Sequence, residues 1–165
     1  RLDRYCIDGQ IFRRGNAEDA PAAILIDISG SMSLSAEEIE SVCEAAAGKA
    51  IVATYCGYNG GGDLKIVAKG LRRAPNEQLG PRWGGNAIDG PALKWLANQK
   101  GRRVWWSDGI VTGKSDITKE AIRAASRWAT DNGIIRLAYA NQVISYLRNP
   151  DSVRPCGVPE VARHG

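Results

Sequence analysis

The feature that most constrains the fold is a run of five apolar residues that ends abruptly in a polar turn. Ala22-Ala23-Ile24-Leu25-Ile26 shows no alternation of apolar and polar residues. Such a continuous run is typical of a strand that is buried on both faces, as in a parallel sheet covered by helices. The turn that follows, Asp27-Ile28-Ser29-Gly30-Ser31, places three oxygen-bearing side chains close together. With 165 residues, the chain is long enough to bury this strand in one domain.

The rest of the chain alternates strand patterns with amphipathic helix patterns. A helix is predicted from Ser35, because Ser35 and Glu38 have capping-box spacing and apolar residues follow at helical intervals. The short glycine-rich turn 59–63 favours antiparallel pairing of the second and third strands. We predict a polar loop over 71–85, further strands over 51–56, 64–68, 104–106 and 134–138, and further helices near 91–97, 117–128 and 141–147.

This alternation predicts an α/β, doubly wound, mainly parallel sheet with one antiparallel strand and helices on both faces, a Rossmann-like arrangement. We divide the chain into an N-terminal hairpin and linker (1–20), the α/β domain (21–149) and a C-terminal tail (150–165) without periodicity. The hairpin is predicted over 5–12, since Asp8-Gly9 suits a tight turn.

Composition narrows the cellular setting. No apolar run approaches the length of about 18 residues that a membrane span needs, and Arg1 leads into no signal peptide. Because the chain begins with Arg rather than Met, we expect it to be a piece of a longer protein. Its four cysteines are scattered without metal-binding spacing, so we expect free thiols, with Cys43 and Cys56 buried, and a reducing, cytoplasmic location.

The polar turn after the first strand suits a metal ion. Ligands of α/β sheets bind at the carboxyl ends of the strands, where the winding reverses, and Asp108 follows another strand at that edge. Two carboxylates with two serine hydroxyls suit a hard cation such as Mg²⁺ or Mn²⁺, and Ca²⁺ also prefers oxygen ligands. Because the serines are neutral, the ion keeps an affinity for an external anionic ligand.

Three segments resemble von Willebrand factor A domains. Asp27-Ile28-Ser29-Gly30-Ser31 matches the DxSxS motif that begins the metal-ion-dependent adhesion site of that family. Residues 84–93, Gly-Gly-Asn-Ala-Ile-Asp-Gly-Pro-Ala-Leu, resemble its GGT-to-AL segment, and Ser107-Asp108-Gly109 resembles its TDG segment. The segments come in the family's order, and the resemblance covers residues 22–147.

The resemblance implies a six-stranded sheet, direct metal ligation by Ser29 and Ser31, and ligation by Asp27 and Asp108 largely through water. A carboxylate of a partner protein would complete the coordination. Intracellular relatives often work beside AAA+ ATPases, so such an ATPase or a parent complex is the partner that the resemblance implies. The family's threonine is Asn86 here, which is either a longer metal ligand or a helix cap.

Two further residues lie near the expected rim of the site. Asp89 follows Asn86 by one helical turn, where it either supports the metal and partner site or caps the helix, and we favour the cap. Trp83 is expected to anchor a partner, since tryptophan is enriched at binding hot spots. Trp105 and Trp106 occupy a strand and should point to opposite faces, where core packing explains both.

Other functions fit the sequence less well. A P-loop ending in Gly113-Lys114-Ser115 would need a glycine where Asp108 stands, and a phosphotransfer enzyme using Asp27 would need a second acid at Ser29. A serine hydrolase lacks its histidine, because the one histidine is in the tail. We therefore expect no enzyme. The alternatives are a metal-free scaffold, which chelators would not affect, and a basic RNA-binding surface, whose binding would depend on salt. A metal-dependent phosphoryl-transfer enzyme is a third, less favoured alternative.

Overall fold

A computed structural model describes residues 22–58, 61–75, 89–110 and 118–157 of the chain. These ranges contain the strands Ala22–Asp27 (β1), Ala50–Tyr58 (β2), Gly61–Lys69 (β3), Arg72–Arg73 (β4), Arg103–Trp106 (β5) and Ile134–Leu137 (β6). They also contain the helices Ala36–Ala45 (α1), Asp89–Ala97 (α2), Lys119–Asp131 (α3) and Ala140–Arg148 (α4), with a short 3₁₀ helix at Pro150–Ser152. The hairpin and linker predicted over 1–20 lie outside the described residues.

The six strands form one sheet in the order β4-β3-β2-β1-β5-β6. β1 pairs in parallel with β2 on one side and with β5 on the other, and β5 pairs in parallel with β6. β3 is antiparallel to both of its neighbours. The predicted doubly wound, mainly parallel sheet with one antiparallel strand is confirmed. Its strand order reverses at β1.

Two hydrophobic clusters cover the sheet. Successive residues of a strand point to opposite faces, and β1 follows this rule: Ile24 and Ile26 belong to one cluster, Ala23 and Leu25 to the other. The first cluster takes its helical residues from α1 and α4, and the second from α2 and α3. The alternation along β1 therefore places two helices over each face.

The predicted opposition of the two tryptophans is confirmed. Trp105 packs in the cluster under α2 and α3, whereas Trp106 packs in the cluster under α1 and α4. Both are fully buried. Burial of two such large side chains from adjacent positions fixes the register of β5 between the helix layers, because a one-residue slip would exchange their faces.

The helix starts follow from local hydrogen bonds. The Ser35 hydroxyl accepts a bond from Glu38 N at 3.2 Å, and Glu38 Oε2 accepts one from Ser35 N at 2.9 Å. This reciprocal capping box begins α1 where the sequence predicts it. The Thr118 hydroxyl accepts a bond from Ala121 N at 3.1 Å and caps α3 in the same way.

The region after β2 differs from the prediction in two places. Gly61 and Gly62, predicted as turn residues, are the first residues of β3. Arg72 and Arg73, predicted as loop, form the two-residue edge strand β4. This strand was not predictable from side-chain patterning, because it exists through backbone pairing after a turn at Gly70, whose φ is 61°. Glycine adopts that left-handed conformation without strain.

Buried thiols were also predicted correctly. Cys43 and Cys56 are buried thiols, Cys156 is a half-buried thiol, and none of these three forms a disulfide. In the described part of the chain, no helix is long and apolar enough to cross a membrane.

Candidate metal centre

The two polar turns lie beside each other at one edge of the sheet. Asp27 is the last residue of β1, and Ser107 directly follows β5. These strands are parallel neighbours, with Ile26 paired to Trp106, so their carboxyl ends meet at this edge. The strand order reverses here, which is where sheets of this class bind their ligands.

Asp27 is the buried carboxylate of the site, and this residue is only 2% exposed. Its Oδ1 accepts a hydrogen bond from Ser29 N at 2.9 Å, and its Oδ2 accepts one from the Ser107 hydroxyl at 2.9 Å. Burial raises the pKa of Asp27; the hydrogen bonds from Ser29 and Ser107 oppose this rise, and the nearby charge of Asp108 adds to it. The carboxylate is thus fixed in place but poorly solvated.

Ser29 and Ser31 place two neighbouring hydroxyls near the buried carboxylate of Asp27. Their Oγ atoms lie 3.2 Å apart. Ser29 is half-buried and Ser31 is exposed, so the pair lies between the buried carboxylate and solvent. Adjacent oxygens of an octahedral Mg²⁺ site are about 3.0 Å apart, since each metal–oxygen distance is about 2.1 Å. The hydroxyls therefore have the spacing of two neighbouring ligands of a small divalent cation.

Asp108 supplies the second carboxylate and is held mainly through its backbone. Asp108 N donates to Met32 Sδ at 3.0 Å, and Asp108 Oδ1 accepts a hydrogen bond from Ile110 N at 2.8 Å. Gly109, with φ 76°, makes the tight turn after it and donates its N–H to the Ser107 hydroxyl at 2.9 Å. Among the described residues this leaves Asp108 Oδ2 for water or a metal.

The charges of the two aspartates favour a cation. Asp108 is close enough to Asp27 for its charge to raise the pKa of Asp27. A divalent ion between two carboxylates relieves both their repulsion and the poor solvation of Asp27. The donor set of carboxylates and hydroxyls, without sulfur or nitrogen, fits a hard cation.

A second buried network lies under the same edge. The Tyr55 hydroxyl donates to Asp89 Oδ1 at 2.6 Å and accepts a hydrogen bond from Trp105 Nε1 at 3.0 Å. Tyr55 is paired with Asp27 across β1 and β2. Burial, then the negative charges of Asp27 and Asp89, raise the pKa of Tyr55 well above its usual value, so the phenol remains a donor. It ties the start of α2 to the centre of the sheet.

The structure brings four of the predicted site residues together: Asp27, Ser29, Ser31 and Asp108. Asp89 is the first residue of α2 and is only 4% exposed. Its buried carboxylate accepts the hydrogen bond from the Tyr55 hydroxyl, so a role in partner binding, which stays a prediction, would be indirect. The predicted ligand Asn86 and the predicted partner anchor Trp83 lie outside the described residues.

Four residues that hydrogen-bond to a predicted site residue were given no role of their own from the sequence: Ser107, Tyr55, Met32 and Arg136, whose Nη1 donates to Asp108 O. Two of them carried a usable signal, because a tyrosine near the end of a buried strand and an arginine inside the apolar strand Ile134–Leu137 both break the pattern around them. Their partners are distant in the chain. Met32 carried no signal that distinguishes it from a core residue.

The candidate site depends on serine. Within the described ranges, no group of three His, Cys, Asp or Glu side chains is placed to hold a metal. A cation here would therefore need the two hydroxyls as well as the two carboxylates. No model of a known protein family matches the chain, and no curated protein sequence matches it significantly.

Proposed function

We propose that this domain binds one divalent cation, Mg²⁺ or Mn²⁺, and uses it to hold a carboxylate of a partner protein. The observation that carries the proposal is the 3.2 Å separation of the Ser29 and Ser31 hydroxyls directly after a strand that ends in buried Asp27. Asp108 completes the oxygen set from the neighbouring strand. Ca²⁺ prefers a larger shell of oxygens, so it ranks below the two smaller ions.

The geometry leaves room for an external ligand. Four protein residues do not fill a six-coordinate shell, and some of them are expected to act through water. Asp27 already shares its charge with Ser29 N and the Ser107 hydroxyl, while the serines are neutral. The ion consequently retains net attraction for an anion on its solvent side, where Ser31 is exposed.

A protein carboxylate is the anion that suits this site best. The resemblance to von Willebrand factor A domains supports this choice and suggests a protein–protein interaction module in the cytoplasm. It also suggests that the partner is an AAA+ ATPase or a complex formed with the parent protein. Asn86 is proposed as a further ligand and Trp83 as a contact for the partner.

The proposal is tested by thermal unfolding in EDTA and in added Mg²⁺, Mn²⁺ or Ca²⁺. A cation that binds only the folded state raises the unfolding midpoint, and the rise grows with cation concentration. Wild type should respond, and Ser31→Ala should respond much less. Ser31 is exposed, so this variant should fold.

Ser33→Ala is the matched control. Ser33 is an exposed serine of the same loop, and its hydroxyl bonds to the carbonyl of Gly30 rather than to the hydroxyl pair. It should keep the wild-type response to metal. Equal midpoints of the wild type in EDTA and in every cation would instead support a metal-free scaffold, in which the bond between Ser29 and Ser31 is only structural.

A further inference from the structure

Arg136 is a charged residue in the middle of a short, otherwise apolar strand. Its neighbours in β6 include Ile134, 5% exposed, and Leu137, fully buried. Desolvation lowers the pKa of Arg136, and the nearby charge of Asp108 opposes that effect. Within the described residues its guanidinium is paired with main-chain carbonyls rather than with a carboxylate.

Those carbonyls belong to the loop that carries Asp108. Nη1 of Arg136 donates to Ser107 O at 3.2 Å and to Asp108 O at 2.8 Å. The Asp108 backbone is thus held on both sides, at its N–H by Met32 Sδ and at its carbonyl by Arg136. Removing the guanidinium would leave the carbonyls of buried Ser107 and half-buried Asp108 without this donor and would free the loop to shift.

The other side of Arg136 contacts the C-terminal segment 153–157. Nη2 donates to Gly157 O, and the main-chain carbonyl of Arg136 accepts a hydrogen bond from Cys156 N at 2.9 Å. One residue therefore connects this segment, through its backbone and its side chain, to the loop of a candidate metal ligand. The predicted tail is packed against β6 at this point.

We infer that Arg136 is a positioning residue for Asp108 and that docking of segment 153–157 on β6 sets the metal affinity of the site. This inference rests on the proposed function, since it concerns the same ion. Arg136 does not contact the ion. It acts by holding the Ser107–Asp108 backbone, and the segment acts by holding the guanidinium in its forked arrangement.

The positive charge of Arg136 and its positioning role have opposite effects on the metal affinity of the site. A positive charge close to the site repels a cation, so its removal would tighten metal binding if charge were the main effect. If positioning dominates, removal weakens binding. Arg136→Gln removes the charge, whereas Arg136→Lys keeps the charge but loses the planar fork that reaches several carbonyls at once. The two variants separate the effects.

The experiment is a Mn²⁺ titration in which free Mn²⁺ is followed by electron paramagnetic resonance. Both Arg136→Gln and Arg136→Lys should raise the Kd for Mn²⁺ by about tenfold, the loss typical of residues that orient metal ligands. Circular dichroism in EDTA checks that each variant is folded. Wild-type affinity in both variants, or tighter binding by Arg136→Gln, overturns the inference.

The contribution of the segment is tested at Cys156. Cys156→Pro removes the N–H that donates to the Arg136 carbonyl, because proline has none, while Cys156→Ala keeps it. The proline variant should bind Mn²⁺ more weakly than the alanine variant, by less than the loss in the Arg136 variants. Equal affinities would overturn the coupling to the segment. A wild type that binds no Mn²⁺ would overturn the proposed function itself.

Discussion

The two aspartates of the candidate site are built in opposite ways. Asp27 ends a central strand, is 2% exposed, and has both carboxylate oxygens fixed by hydrogen bonds from Ser29 and Ser107. Asp108 lies in a loop, is half-buried, and has its backbone held from two sides, while only one of its carboxylate oxygens accepts a hydrogen bond among the described residues. One acid is part of the sheet, while the other lies on the loop that follows β5.

The two aspartates are therefore expected to contribute differently to the site. A buried, fixed carboxylate provides a preorganised negative charge, and its poor solvation favours the binding of a cation. A carboxylate on a loop can change its distance to an ion when a ligand binds. We therefore expect substitutions at Asp27 to alter folding as well as metal binding, and substitutions at Asp108 to alter metal binding with little effect on folding.

The largest expected difference is between alanine and asparagine at position 27. Both remove the charge, but only asparagine keeps an acceptor for Ser29 N and a polar partner for the Ser107 hydroxyl. In EDTA, Asp27→Ala should unfold with about 3 kcal/mol less free energy than Asp27→Asn, since each unpaired buried group costs about 1–3 kcal/mol. The same pair at position 108 should differ by about 1 kcal/mol or less, because Asp108 and its partner Ile110 are only half-buried.

Urea unfolding of the four variants measures both differences. Similar differences in the free energy of unfolding at positions 27 and 108 would contradict the expected contrast between an aspartate in the sheet and one on a loop. A larger difference at position 108 than at position 27 would reverse it.

A smaller effect is expected from removing the hydroxyl beneath the buried aspartate. Tyr55→Phe removes both hydrogen bonds of the hydroxyl, the one accepted from Trp105 Nε1 at 3.0 Å and the one donated to Asp89 Oδ1 at 2.6 Å. We expect a loss of about 2 kcal/mol in the free energy of unfolding, as for other buried polar groups that lose a partner. Trp106→Phe tests the matched tryptophan, whose indole N–H donates to Ala138 O, and should leave the Tyr55 network intact.

Stability curves in urea, recorded with tryptophan fluorescence and circular dichroism, measure the effect. A Tyr55→Phe variant as stable as the wild type would show that the network under the site contributes nothing to the fixed position of α2.

The smallest effect concerns the pH dependence of the metal-free protein. Burial raises the pKa of Asp27 above its unfolded value of 3.8, so the folded state binds this proton more tightly. The resulting stability is complete below about pH 3.8 and is lost as the pH rises through the raised folded value. Each unit of difference corresponds to about 1.4 kcal/mol.

In EDTA, wild type should therefore lose stability relative to Asp27→Asn as the pH rises from about 4 to neutrality. The measurement is the difference between the two free energies of unfolding at each pH. A difference that is independent of pH, or that changes in the opposite direction, would show that Asp27 is not poorly solvated in the folded protein.

Much of the fold was predictable because short-range sequence patterns determine its strands and helix starts. The continuous apolar run at 22–26, the capping box at Ser35 and the adjacent tryptophans each determine a strand, a helix start or a face through short-range spacing. The edge strand Arg72–Arg73 was not predictable, since backbone pairing alone defines it and its side chains carry no apolar pattern.

The site was predictable only where its residues lie close in sequence or at strand ends. Asp27, Ser29 and Ser31 share one turn, and Asp108 follows a recognisable strand. The supporting residue Tyr55 is brought to the site by strand pairing, whereas Arg136 contacts the site through main-chain carbonyl oxygens. Every residue carries such oxygens. Tyr55 and Arg136 both interrupt the apolar pattern of their strands, but that pattern does not identify their partners, which required the structure.

The most direct measurement of the central claim is the binding of Mn²⁺ by wild type, Asp27→Asn and Asp108→Asn, with exposed Asp131→Asn as control. We expect one Mn²⁺ per chain for wild type and for Asp131→Asn. We also expect much weaker binding for both site variants, because each would remove one of the two carboxylates of the proposed metal site. A wild type without bound Mn²⁺, or site variants that bind as tightly as the control, would contradict the proposed metal site.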